Sequence, residues 1–200
     1  MKLGYIGAND WKAITMSLDW CTEDKSQHLN FVEVGVATGR TSWEACHHIL
    51  SRNVEFTYFG VDPNPKGLIS IPWPQFNLIK ERSVDAIKML PMCHWMFIDG
   101  CHCENCVRDD MVAYDSKLVD GGYMLFHDTL PTAQGGKAQK YTSFAQHDMI
   151  VARRGVAVIS ALASLDMPSR GYELLYESPP GVDDDRGTRV YRKGKSSTRA

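Results

Sequence analysis

Glu33, Asp62, Asp99 and Asp128 each stand at or near the end of a short apolar run. Carboxylates gathered in that way suit a ligand offering positive charge or hydrogen-bond donors. The first of them opens the turn Glu33-Val34-Gly35-Val36-Ala37-Thr38-Gly39-Arg40-Thr41. Its glycines allow a tight turn and a close backbone approach, but their spacing fits neither the GxGxxG of dinucleotide folds nor a phosphate loop, since no Gly-Lys-Ser/Thr follows. A tight turn of purely structural use is the alternative. His102 and His127 flank the later acids and are of the residue type that titrates near neutrality. Cys101-His102-Cys103-x-x-Cys106, with Cys93 and His94 upstream, invites a zinc reading. It lacks the distant second half-site of most structural zinc centres, so small buried side chains at a turn, or a redox-sensitive thiol, are the alternatives.

These residues need a scaffold that brings strand ends together. Phe31–Gly35, Thr57–Asp62, Trp95–Ile98 and Tyr123–Phe126 are apolar throughout, as expected for parallel strands covered on both faces. Leu78-Ile79-Lys80 adds a further strand between the second and third of these runs. Thr41–Leu50 carries Trp43, Cys46, His47 and Leu50 at helical spacing, so strand, helix and strand follow one another as a βαβ unit. Glu104–Leu118 repeats the helical pattern with Val107, Met111, Tyr114 and Leu118, and Gly121-Gly122 is expected to close that helix. In an open α/β sheet the C-terminal strand ends line the ligand crevice, which collects the four acids on one edge.

Around this centre the spacing predicts an N-terminal helix capped by Asn9 or Asp10, with Trp11, Ile14, Leu18 and Cys21 on one stripe. The N-terminal helical segment spans residues 1–27, and residues 129–155, with Pro131 and Gly135-Gly136, form a loop suited to covering a substrate. Val156–Leu165 is a candidate helix. Tyr172–Tyr176 and Thr188–Tyr191 alternate as an antiparallel pair. Pro63, Pro65, Pro72 and Pro74 leave little room for a helix in the crossover that displays Trp73.

Composition bounds the whole. Two hundred residues, 44% hydrophobic and 23% charged, describe one domain over residues 1–192, followed by a disordered basic tail over 193–200. The net charge of -2 argues against a uniformly basic nucleic-acid binder. The last fifteen residues nonetheless hold six basic residues and no acid, which leaves -8 for the body. No apolar run reaches membrane-span length and no secretory signal is read at the start, so a cytoplasmic protein with reduced thiols is expected.

Glu33-x-Gly35-x-x-x-Gly39, Asp62, Asp99 and the Gly-Gly pair together resemble the class I S-adenosylmethionine-dependent methyltransferases. More narrowly, Phe97-Ile98-Asp99-Gly100-Cys101-His102, Asp110, Leu118–Tyr123 and His127-Asp128 resemble the methyltransferase-24 group, with its macrocin-type sugar O-methyltransferases and cephalosporin-hydroxylase-like proteins. The resemblance covers roughly residues 28–130. It implies an α/β, Rossmann-like, seven-stranded, mostly parallel sheet with helices on both faces and an antiparallel C-terminal strand pair.

It also implies roles. Gly35 and Gly39 would pass beside the methionine moiety of the cofactor, with Glu33 near its ammonium group. Asp62 would hold both ribose hydroxyls, Ser83 would contact adenine and Asp99 would border the cofactor. Asp99 and Asp128, with His127 as a candidate, would hold Mg²⁺ or another divalent metal, and His102 and Asp99 would be catalytic, His102 taking the acceptor's proton. Four positions depart from the group's pattern: Arg82 before Ser83, Cys101 two residues after Asp99, Cys103 where the group usually has Tyr, and His127, whose imidazole suits zinc, iron or manganese better than magnesium.

The activity implied is O-methylation of a small-molecule hydroxyl, with or without metal assistance, by a monomer or a homodimer. Two rivals stay open: an inactive cofactor- or metal-binding scaffold, and a nicotinamide-dependent dehydrogenase. Methylation of a nucleic acid or protein, anchored by the basic tail, is a weaker third.

Overall fold

The computed structural model describes residues 6–23, 27–130, 154–179 and 186–195. Most of the expected covering loop, the turn at 180–185 and residues 196–200 of the basic tail lie outside these. Among the described residues the order of elements is α1 (Ala8–Thr22), β1 (Leu29–Val34), α2 (Arg40–Leu50), β2 (Phe56–Val61), β3 (Phe76–Ile79), α3 (Ser83–Ala86), β4 (Cys93–Ile98), α4 (Glu104–Asp115), β5 (Leu118–His127), α5 (Arg154–Leu165), β6 (Tyr172–Glu177) and β7 (Thr188–Lys193). A short 3-10 turn, Ile87–Met89, follows α3. None of these helices is long and apolar enough to cross a membrane.

The seven strands form one sheet in the order β3-β2-β1-β4-β5-β7-β6. The pairs from β3 to β5 are parallel, and β7 runs antiparallel between β5 and β6. Strand order reverses direction at β1, between β2 and β4, which is where an open α/β sheet leaves its ligand crevice.

Strand alternation assigns the side chains to two layers. Phe31, Tyr58, Trp95, Phe97 and Leu125 face α1 and α2, where Ile14, Leu18, Ala45 and Ile49 complete a fully buried layer. Val32, Val34, Met96, Ile98, Met124 and Phe126 face α4 and α5 through Met111, Tyr114, Ala161 and Leu162. Trp95 satisfies its indole N–H on Ser17 of α1 at 2.8 Å, which fixes that helix on the sheet. By the same alternation Glu33, Asp99 and His127 point towards the α1/α2 side.

Several local expectations change. Helix α4 stops at Asp115, and Leu118 through Gly122 belong to β5. The strand accommodates its extra residues by a register shift between Cys93 and Trp95, where Gly121 takes a φ of 80°. At the first helix Gly7, not Asn9 or Asp10, is the N-cap, and Asp10 sits three residues inside and buried. The proline-rich crossover carries no helix; Trp73 packs on Trp43 of α2 at 5.1 Å between ring centroids.

The C-terminal charges are part of the sheet. Arg189 bonds Glu177 across the β6–β7 pair, the Arg192 guanidinium lies 6.0 Å from the Tyr123 ring centroid, and Lys193 reaches Asp115 and Leu118. Strand β7 thus takes in Lys193, one residue past the domain end read from composition.

Gly35 sets the tightest constraint on the crevice. Its φ is 92°, and a β-carbon placed there would lie 2.1 Å from the Asp99 carbonyl oxygen. Gly35→Ala is expected to destabilise the protein by about 2–4 kcal/mol, lowering the melting midpoint by roughly 4–16 °C. A midpoint unchanged in differential scanning calorimetry would refute this close packing of the β1 and β4 ends.

Candidate active site

Strand ends β4 and β5 deliver Asp99, His127 and Asp128 to one point, and the β4–α4 turn folds His102 back onto them. His127 Nδ1 lies 2.8 Å from Asp99 Oδ1. His102 Nε2 lies 3.2 Å from the same oxygen and 2.7 Å from Asp128 Oδ2. One ligand atom from each of Asp99, His102, His127 and Asp128 falls within 4.8 Å of the others. Asp128 itself holds a φ of 56°, uncommon outside glycine and characteristic of functional turns.

Behind this cluster stands Asp10, which is fully buried. Its Oδ2 lies 3.4 Å from His127 Nε2 and accepts the Arg186 N–H at 3.1 Å, while its Oδ1 accepts the Thr188 hydroxyl at 3.0 Å. Ser178 contributes a longer contact to Oδ1 at 3.4 Å. One carboxylate therefore ties α1 to β5 and to the segment that enters β7. Sequence reading placed Asp10 at the helix cap and assigned it no function. The available signal was its position four residues before Ile14 on the apolar stripe, because an acid on a buried face has to be paired.

Electrostatics follow from this crowding. Burial alone would raise Asp99, but the charge of His127 and hydrogen bonds from His102 and His127 hold it well below the usual carboxylate range. Burial likewise opposes charge on Asp10 and Asp128. The bond to His127 lowers Asp10, and the approach of His102 lowers Asp128. The imidazoles move the other way. Burial favours their neutral forms, yet Asp128 and Asp99 lift His102 to about 9, and Asp99 and Asp10 lift His127 to about 10. At neutral pH the cluster is a set of alternating carboxylates and imidazoliums.

With the imidazoles deprotonated, as ligation requires, this donor set fits a divalent cation. Asp128 Oδ2 is buried and, although His102 is close, has no aligned hydrogen-bond donor. His127 is backed by Asp10 on Nε2 and turns Nδ1 to the cluster, the carboxylate–histidine arrangement that orients imidazole ligands. Two carboxylates with two imidazoles suit manganese, iron or zinc at least as well as magnesium.

Asp62 ends β2 next to the glycine turn. Its Oδ2 accepts the Ala37 N–H and its Oδ1 the Asn64 N–H, both at 2.8 Å. Each oxygen keeps a lone pair, so a fixed, forked acceptor faces the crevice. Gly39 caps α2 with a φ of 78°. Glu33 is sited differently from Asp62. It is buried, and its Oε2 takes hydrogen bonds from Ser42 at 2.5 Å and Tyr58 at 2.9 Å. Burial raises it to about 8 despite those bonds, so at neutral pH it is largely the protonated acid, tying α2 to β1 and β2. Ser83 opens α3; Tyr114 donates to its carbonyl at 3.2 Å, and its side chain bonds Asp110, a buried carboxyl raised by burial to about 7. The sulfurs of Cys101, Cys103 and Cys106 form a separate group at the start of α4.

Residues 32–129 match the protein family described as a methyltransferase domain. No curated protein matches the chain by sequence. Among solved structures, the S-adenosylhomocysteine-bound methyltransferase PaMTH1 of Podospora anserina superposes with a TM-score of 0.64 at 14% identity, covering 92% of this chain and 77% of that one. The O-methyltransferase NovP gives 0.61 at 14% identity over 94% and 81%. MycE of the mycinamycin biosynthetic pathway, in complex with Mg, S-adenosylhomocysteine and mycinamycin VI, gives 0.58 at 14% identity over 98% of this chain and 52% of that one.

Two outcomes follow from the charge network. Asp10→Asn is expected to cost about 3 kcal/mol in urea unfolding, the lower end for breaking a buried ion pair. A cost below ~0.5 kcal/mol would place Asp10 outside the network. The second concerns pH. Folded His102 and His127 bind protons more tightly than the ordinary value of 6.5, so their stabilisation is complete below that pH and lost as pH rises through about 9 and 10. Glu33 acts in the same sense between 4.5 and about 8. The melting midpoint is expected to fall from pH 6 to pH 10, and less steeply in Asp10→Asn; a flat profile would contradict these pairings.

Proposed function

We propose that this chain is a class I S-adenosylmethionine-dependent methyltransferase that methylates a hydroxyl group of a small molecule with the help of a divalent cation. The observation that carries this reading is the placement of two different sites along one sheet edge. At β2 stands the forked acceptor Asp62, suited to vicinal hydroxyls; at β4 and β5 stands the cluster of Asp99, His102, His127 and Asp128. Between them runs the turn opened by Gly35, whose lack of a side chain keeps the crevice floor low.

Bound S-adenosylmethionine supplies an electrophilic methyl group, and transfer needs the acceptor oxygen, methyl carbon and sulfur nearly in line. Asp62 would fix the ribose and Gly35 and Gly39 would border the methionine portion. Ser83 would border the adenine, with Asp110 as an added polar neighbour. Glu33, with its carboxyl turned to Ser42 and Tyr58, would act on the ammonium end through the shape of the turn. Asp99, Asp128 and His127 would hold the cation, which supplies charge that acidifies and orients a hydroxyl.

His102 is the proton acceptor in this scheme. While Asp99 and Asp128 keep their full charge, its value of about 9 leaves it protonated at neutral pH, so its capacity to accept a proton grows as pH rises towards 9.

Calorimetric titration with S-adenosylmethionine and S-adenosylhomocysteine, with and without Mg²⁺ or Mn²⁺, tests the reading. Asp62→Ala is expected to weaken cofactor binding at least ~10-fold, equivalent to about 1.4 kcal/mol. Asp128→Ala is expected to leave cofactor affinity intact while abolishing metal-dependent formation of S-adenosylhomocysteine over a panel of hydroxylated acceptors. No cofactor binding by the wild type would reject the proposal, and equal loss of cofactor affinity in both variants would reject the division of roles. In metal-free buffer, any residual methyl transfer is expected to rise with pH up to about 9, and to lose that rise in His102→Gln.

A further inference from the structure

We infer that Cys101, Cys103 and Cys106 form a second cation site, separate from the acidic one, that takes a single thiophilic divalent ion such as Zn²⁺ through three sulfurs. The three sulfurs lie within 4.8 Å of one another. Bonds of about 2.3 Å to a tetrahedral zinc require sulfurs about 3.8 Å apart, so a small contraction of the group suffices. The spacing in the chain explains how one short segment supplies all three. Cys103 is the N-cap of α4 and Cys106 lies one turn on, its N–H directed at Cys103 Sγ at 3.3 Å, so both project from the same end of the helix. Cys101 joins them from the turn after β4 and is exposed, which opens the group to an ion from solvent. A distant second half-site is unnecessary because the fourth position can be filled by water.

The two clusters differ in chemistry although their residues interleave. His102 stands between Cys101 and Cys103 in sequence, yet its imidazole turns to Asp99 and Asp128. One cluster therefore offers only sulfur and the other only oxygen and nitrogen, a contrast that sorts soft from hard cations. Binding at the sulfurs converts the thiols to thiolates and releases their protons to solvent, a change favoured at a helix N-terminus. The remaining cysteines, Cys21, Cys46 and Cys93, are buried in the core and take no part. None of this depends on methyl transfer.

The test uses the reduced full chain and Cd²⁺ as the probe, with Zn²⁺ in competition. One equivalent of Cd²⁺ is expected to produce thiolate-to-metal absorption in the ultraviolet. One equivalent of Zn²⁺ is expected to shield Cys101, Cys103 and Cys106 from iodoacetamide under native conditions, as read by mass spectrometry, with chelator restoring their labelling. Asp128→Asn is expected to keep both signals, which separates this site from the acidic cluster and from the proposed activity. Cys106→Ser and the exposed Cys101→Ser are each expected to weaken binding by more than the ~10–100-fold lost with an outer-shell partner. Melting curves of both variants verify that they fold. Absence of thiolate absorption, labelling unchanged by Zn²⁺, or undiminished affinity in a folded Cys101→Ser protein would overturn the inference.

Discussion

A buried histidine held on both ring nitrogens is the constraint around which the rest of this molecule is arranged. His127 is 1% exposed, with Asp99 on one side and Asp10 on the other. An imidazolium so deeply buried is tolerated only while both carboxylates stay in place, because removing one leaves an uncompensated charge. Asp99 follows β4 and Asp10 lies in α1, so the pairing fixes the first helix against the strand ends of a sheet it also meets through apolar contacts and the Trp95–Ser17 hydrogen bond. Asp128 and His102 then extend the same alternation of charge into the crevice.

That arrangement separates positioning from exposure. The inner part, Asp10 and His127, is sealed from solvent, and Asp10 orients the imidazole whose Nδ1 faces the cluster. The outer part, Asp99 and His102, is about one fifth exposed on the side chain and can meet a ligand. At the other end of the crevice, Asp62 is oriented by two backbone amides, with no opposing charge among its hydrogen bonds to the described residues. That end of the crevice offers a bare acceptor, whereas two strands away stand the carboxylates and imidazoles of the cluster.

Much of this was legible in the chain itself because parallel strands covered on both faces are written as unbroken apolar runs. The ends of β1, β2, β4 and β5 were therefore readable within one or two residues, and with them Glu33, Asp62, Asp99 and Asp128. What eluded reading depended on contacts remote in sequence. Asp10 looks like an ordinary helix cap until Thr188, 178 residues later, supplies its partner. Glu33 looks like a crevice acid until strand alternation turns it inward to Tyr58. The Gly121-Gly122 pair signals a helix stop, yet here it permits a bulge, since β4 and β5 are out of step at that point. Lys193 looked like the start of a solvated tail because its pairing with Asp115 of α4, far away in sequence, leaves no local trace in composition.

The hydrogen bonds from Arg186 and Thr188 to Asp10 carry a consequence for the order of events in synthesis. Strand β7 inserts between β5 and β6, and its entry residues complete the partners of a carboxylate near the start of the chain. During translation α1 and the first five strands emerge well before that stitch exists. Until β7 is made, Asp10 lacks its bonds from Arg186 and Thr188. A chain made only as far as β6 is left with an incompletely satisfied buried acid, so the addition of β7, not formation of the parallel core, completes the partners of Asp10.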